Sequence, residues 1–117
     1  MMKEKGESLM VSVPTHRKPT HPGEMLLEEF LKPMKISQRK LSTILQIPYK
    51  RINEIINGKR DINPSIALRL SRAFSMSEDF WLNLQLRWDI YLTRQQEKSI
   101  LRSIKPLNQI RKQAIAA

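Results

Sequence analysis

The side chains with the most recognition chemistry to offer lie close together: Tyr49, Lys50, Arg51, Asn53 and Glu54. What they can do is hydrogen bond to base edges. Arginine or lysine can donate to guanine O6 and N7, asparagine can pair with adenine, and glutamate can accept from cytosine N4. A second group, Asn57, Lys59 and Arg60, follows at once, and a third, Ser37, Gln38 and Arg39, precedes. These suit phosphate oxygens, contacts that position a protein on DNA without reading its sequence. Covalent chemistry is not offered. No nucleophile stands with a base and an orienting group, so an enzyme is not expected. His16 and His21 lack acidic or cysteine partners at ligand spacing, so no metal and no cofactor is assigned. Glu28 and Glu29, splayed by about 100° on one helix, belong to a solvated face.

The recognition residues need a helix to present them, and the stretch from Ser37 to Arg60 supplies two. In the first, Leu41, Ile44 and Leu45 fall on one face, with Ser37 as N-cap. Pro48 suits the first turn of the second, where its missing N–H costs nothing. In that helix Ile52, Ile55 and Ile56 form the buried stripe, while Lys50, Asn53, Glu54 and Asn57 point the opposite way, flanked by Tyr49 and Arg51. Asn57-Gly58 closes it, glycine being the usual left-handed cap. Two helices over about 37–45 and 48–57, joined by a short turn, read as a helix-turn-helix whose second helix enters a major groove.

Charge points the same way. The chain has 117 residues, enough for one modest core, and carries 21 Lys and Arg against 11 Asp and Glu. Residues 35–60 hold seven of those cations (Lys35, Arg39, Lys40, Lys50, Arg51, Lys59, Arg60) and one acid, Glu54. That concentration is the electrostatic footprint of a phosphate-binding surface. Cysteine is absent, which excludes disulfides and thiolate metal sites. No apolar run approaches the roughly 20 residues needed to span a bilayer, and no signal-peptide hydrophobic region is seen. A soluble, cytoplasmic, nucleoid-associated protein with no membrane partner is expected.

The remaining segments read as scaffold and extensions. Residues 1–20 form an N-terminal arm, with a possible extended piece over 9–13 and a basic end at His16-Arg17-Lys18. Residues 21–96 form the DNA-binding domain, and 97–117 a basic tail, partly helical around Ile100, Leu101 and Ile104. The first helix runs from about Pro22 to Lys32, stopped or bent by Pro33. A fourth starts near Pro64 with Asn63 as N-cap and Ile66, Leu70, Ala73 and Phe74 on its apolar face. A fifth begins at Ser77 and extends to about Gln96, with Phe80, Trp81, Leu84, Trp88, Tyr91 and Leu92 as a broad apolar surface. Trp81 and Trp88, seven residues apart, share a face with Leu84, so Phe80, Trp81, Leu84, Trp88 and Tyr91 are assigned to core or dimer interface and not to base stacking. The fold class is all-α.

Several short motifs occur together and in register: His21-Pro22-Gly23-Glu24, Ser37-Gln38, Arg51-Ile52-Asn53-Glu54-Ile55, Asn57-Gly58-Lys59-Arg60, Ala67-Leu68-Arg69-Leu70 and Phe80-Trp81-Leu82-Asn83-Leu84-Gln85. Over about residues 21–92 the chain resembles the HigA family of antitoxins, also labelled VapI, among the phage-repressor-like (XRE-type) helix-turn-helix domains. The resemblance implies a five-helix DNA-binding domain that dimerises on a palindromic operator in its own promoter, with the glutamine matching Gln38 on a phosphate. It also implies a partner, a HigB-type toxin that cleaves mRNA on the ribosome. The alternatives are a stand-alone transcriptional regulator without a toxin, and a protein-interaction module whose DNA surface is vestigial. Four positions depart from the family pattern. Gln46 stands where glycine is usual, and a positive φ there would cost roughly 1 kcal/mol, so the turn is expected to be reshaped or mildly strained. Ser42, Ser71 and Ser75 replace alanine, alanine and glycine.

Overall fold

The computed structural model describes residues 18–109, and among these every regular element is a helix. Helix α1 occupies residues 22–34 in three continuous pieces, Pro22–Met25, Leu26–Leu31 and Lys32–Met34. It is followed by α2 (Gln38–Leu45), α3 (Tyr49–Ile56), α4 (Pro64–Phe74), α5 (Glu78–Gln96) and α6 (Lys98–Ser103). Six helices therefore stand where the resemblance implied five, the sixth lying in the tail expected to be partly helical. Most of the arm expected over residues 1–20, including His16 and Arg17, lies outside the described residues, as do Arg111 and Lys112.

Local chemistry accounts for most boundaries. His21 caps α1, its Nδ1 accepting the Gly23 N–H at 2.8 Å. Asn63 caps α4 by accepting from the Ile66 N–H at 2.9 Å. Of the two expectations for Pro33, a stop or a bend, the stop is not met: α1 runs on past Lys32, and Leu26–Leu31 just before it is wound as a π-helix. There the Lys32 N–H reaches the Leu27 carbonyl, so the proline ring enters a backbone already widened and not one closed against it. The helix ends instead at Lys35, which is left-handed (φ 57°).

The core is one cluster: Leu26 and Leu31 of α1, Leu41 and Leu45 of α2, Ile52, Ile55 and Ile56 of α3, Ile66, Ala67 and Leu70 of α4, Trp81 of α5, and Ile47 and Ile62 from the connections. Trp81 is fully buried; Phe30 and Phe80 pack against it and each other, and Phe74 against Phe30, with ring centroids 5.0–6.1 Å apart. Truncating so large a buried ring typically costs about 3–5 kcal/mol. Two expected core positions are not in it. Ile44 and Ala73 are exposed, and in α4 the buried alanine is Ala67, six residues nearer the start of the helix. Ser71 is buried, its hydroxyl within hydrogen-bonding distance of the Ala67 (2.8 Å) and Ser77 (3.1 Å) carbonyls. A hydroxyl in place of an alanine methyl thus ties α4 to the start of α5. Of the remaining residues assigned to core or interface, Phe80 and Leu84 pack partly buried against the cluster. Trp88 and Tyr91 are half-buried further along α5. Helix α6 packs against α5 with all its residues exposed.

Candidate nucleic-acid interface

Helices α2 and α3 form the helix-turn-helix, with Gln46 and Ile47 between α2 and the N-cap of α3. Ser37 caps α2 by accepting from the Lys40 N–H at 3.0 Å. Pro48 sits one position earlier than expected, as the N-cap of α3 (φ −61°, ψ 143°), and helical backbone starts at Tyr49. At the far end Gly58 is left-handed (φ 74°). Its N–H reaches the Ile55 carbonyl at 3.0 Å, and the Lys59 N–H reaches Glu54 at 2.8 Å. That pair of bonds is the Schellman arrangement.

The side chains meant for DNA divide into free and committed. The side chains of Lys40, Lys50, Arg51 and Lys59 make no hydrogen bond or ion pair among the described residues, and the first two and the last are exposed. The Arg39 guanidinium lies over the Tyr49 ring, 4.4 Å from its centroid, a cation–π contact that joins the N-terminal ends of α2 and α3. Asn53 donates to the Gln38 side-chain oxygen at 3.0 Å and accepts from the Asn57 amide at 3.1 Å. The chain Gln38–Asn53–Asn57 therefore links all three groups of candidate residues. With its oxygen held by Asn53, the Gln38 amide nitrogen is left to donate.

Glu54 does not pair with Lys50 one turn earlier, the partner that helical spacing suggests. It accepts from Arg60 Nε at 2.8 Å, because the left-handed Gly58 turns the chain back along α3. That bond, helped by the positive charges of Arg60, Lys50 and Arg51, holds the Glu54 carboxyl below the usual carboxylate range. The pair is solvent-exposed and adds little to stability, but it occupies one candidate base acceptor and one candidate phosphate donor together.

Three residues that position this surface carried no such role in the sequence reading. Gly23 is the first. A Cβ there would sit 1.8 Å from the Ile55 carbonyl oxygen, so α1 starts flush against the backbone of α3. Glycine inside a helix costs about 1 kcal/mol relative to alanine, and its place in the second helical position of His21-Pro22-Gly23-Glu24 was the available signal. Gln85 is the second. Buried in α5, it accepts from the Ile62 N–H at 2.7 Å and donates to Asp89 at 2.9 Å, tethering the loop that carries Lys59 and Arg60. Arg69 of α4 is the third, with Nη1 2.8 Å from the Leu45 carbonyl oxygen and 3.0 Å from that of Gln46. Gln46 itself keeps the left-handed turn (φ 59°, ψ 46°), so the turn is not reshaped.

His21 completes the support. Its ring meets Trp88 edge-on at 4.9 Å, and Lys18 Nζ lies over the Trp88 indole, 5.2 Å from the ring centroid. Burial pushes the His21 imidazole below its usual value, against the raising influence of Asp61, Glu24 and Asp89. Among the described residues no group of three or more His, Cys, Asp or Glu could hold a metal ion. No described helix is long and apolar enough to cross a membrane.

Comparison with known proteins places this geometry in context. A helix-turn-helix family model matches residues 27–81. Virulence-associated protein I of Dichelobacter nodosus is 44% identical over 80 residues, 68% of this chain and 74% of that protein. Among solved structures, an addiction module antidote protein of the HigA family from Coxiella burnetii has a TM-score of 0.72 at 40% identity, covering 77% of this chain and 99% of its own. The Pseudomonas aeruginosa antitoxin HigA, solved with the higBA promoter, has a TM-score of 0.73 at 37% identity, covering 76% and 98%.

Proposed function

The chain belongs to the HigA and virulence-associated protein I family of helix-turn-helix proteins, and we propose that it is a DNA-binding repressor serving as the antitoxin of a type II toxin–antitoxin pair. One observation carries the DNA reading. The exposed start of α3 offers Lys50 and the half-buried Arg51 without internal partners, beside an α2 N-terminus fixed to it by Gln38–Asn53 and Arg39–Tyr49. Phosphate contacts from α2 would set the register, and α3 would then read bases in the major groove.

Within that division Lys50 and Arg51 read bases, with Tyr49 flanking them. Ser37, Gln38, Arg39, Lys59 and Arg60 hold phosphates. Asn53, Asn57 and Glu54, whose polar groups are engaged inside the protein, shape the surface as much as they contact DNA. Two copies on a palindromic operator in the protein's own promoter would set their recognition helices about 34 Å apart. The partner is a HigB-type, mRNA-cleaving toxin encoded beside it, and the site of action is the cytoplasm, on the nucleoid. A footprint titration on the upstream promoter tests the assignment. Lys50→Ala or Arg51→Ala should lose about 1–3 kcal/mol of base discrimination, and unchanged preference in both variants would sink it. Co-purification with the neighbouring gene product tests the antitoxin role separately.

A further inference from the structure

We propose that Arg69 is a positioning residue for DNA recognition, bracing the helix-turn-helix turn where this chain lacks a glycine. The proposal rests on the repressor reading above and deepens it. The turn between α2 and α3 must pass through a left-handed residue, and here that residue is Gln46 at φ 59°. The other two non-glycine residues in this conformation, Lys35 and Ser75, also end helices. The turns at all three are closed by the same backbone bond, the N–H groups of Ile36, Ile47 and Met76 donating to the carbonyls of Leu31, Ser42 and Ser71. Only at Gln46 does a side chain from another helix reach the turn's own carbonyl among the described residues. Arg69, 23 residues further on, donates from one nitrogen to both Leu45 and Gln46.

Those two carbonyls are the last of α2 and the first of the turn, so they are groups that a helix terminus leaves without intrahelical partners. A guanidinium is planar, always charged and able to serve two acceptors in a fixed geometry, which an ammonium does less well. Two residues later Pro48 is the N-cap of α3. The orientation of Tyr49, Lys50 and Arg51 towards the groove is therefore set by a turn whose open carbonyls Arg69 holds, and misplacement of about 1 Å is enough to lose base contacts of this kind. Arg69 itself stands in α4, outside the groups of side chains assigned to DNA.

The experiment uses the full chain and its own promoter fragment, comparing Arg69→Met, Arg69→Lys and each of them combined with Gln46→Gly. Operator affinity is measured across a salt series, and amide exchange of α3 on the free protein. Arg69→Met should weaken operator binding about tenfold or more at a temperature where circular dichroism shows it folded, and should speed exchange in the first turn of α3. Its salt slope should match wild type. With glycine at position 46 the same change should cost markedly less, since interacting sites couple, and Arg69→Lys should fall between. A slope lower by about one unit in Arg69→Met would instead make Arg69 a phosphate contact and overturn the proposal. So would unchanged affinity in a folded variant, or losses that simply add. If the wild-type chain binds no promoter DNA, the repressor reading fails by itself. The brace then stands or falls on the exchange measurement, faster exchange supporting it and unchanged exchange refuting it.

Discussion

The two ends of the recognition helix solve one geometric problem by opposite means. Before α3 the chain turns through Gln46, and after it through Gly58, both left-handed. The Gly58 end needs no side-chain brace at the turn. Glycine takes the conformation freely, α1 lies directly on the helix end through Gly23, and the loop beyond is tied down by Gln85. The Gln46 end has a residue that pays a conformational cost, and the Leu45 and Gln46 carbonyls there are held by Arg69. One end is secured by close backbone packing, the other by a charged hydrogen bond donated from a neighbouring helix. Packing tolerates almost no change of volume, whereas a bond at the surface can be adjusted or lost with the helix still in place. The C-terminal end of α3 is thus the rigid one, and its N-terminal end, which carries the proposed base readers, is the tunable one.

The sharpest way to break this contrast is at the rigid end. Gly23→Ala places a methyl group against the Ile55 carbonyl and should cost about 1–3 kcal/mol or more, read as a lower urea midpoint. A midpoint equal to wild type would mean that α1 can move off α3 without penalty.

Next in size are the two turn residues compared directly. Around Gly58 there is open space, the nearest atom to an added Cβ being His21 Cδ2 at 4.0 Å. Gly58→Ala should therefore show the conformational cost alone, roughly 1–2 kcal/mol. Gln46→Gly, the reverse exchange, should be neutral to stabilising by up to about 1 kcal/mol, glycine's gain at positive φ being offset by its greater freedom in the unfolded chain. Thermal melts of both check the signs, and equal effects at both positions would end the distinction.

The mildest effect is expected from pH. His21 accepts the Gly23 N–H through Nδ1, so it must be neutral there. Its folded value lies below the ordinary 6.5, so the unfolded chain takes up the proton first. Stability should be complete above about 6.5 and decline as pH falls below that towards the depressed folded value. In His21→Asn, which keeps an N-cap acceptor, this part of the pH dependence should vanish. A pH profile of urea midpoints that is identical in the two proteins would exclude His21 as its source.

Much of the architecture was legible from spacing over three or four residues. Ser37 and Asn63 as caps, Gly58 as the left-handed stop, the Ile52, Ile55 and Ile56 stripe, the span of α5 to Gln96 and the all-helical class all follow from interactions within one turn of helix, which the order of residues determines. Pro33 misled because its effect depends on how the preceding turn is wound. Ile44 misled because helical periodicity marks a face without saying whether another helix covers it. What only the tertiary structure decided are the pairings between distant segments. Gly23 meets Ile55, Arg69 meets Gln46, Gln85 meets Ile62, Asn53 meets Gln38, and Arg60 in place of Lys50 meets Glu54. The physical reason is that each joins groups on different helices or across a reversed loop, where a polar or small residue has many acceptable partners. Which of them it finds depends on how the apolar stripes dock, and that is a property of the packed core as a whole.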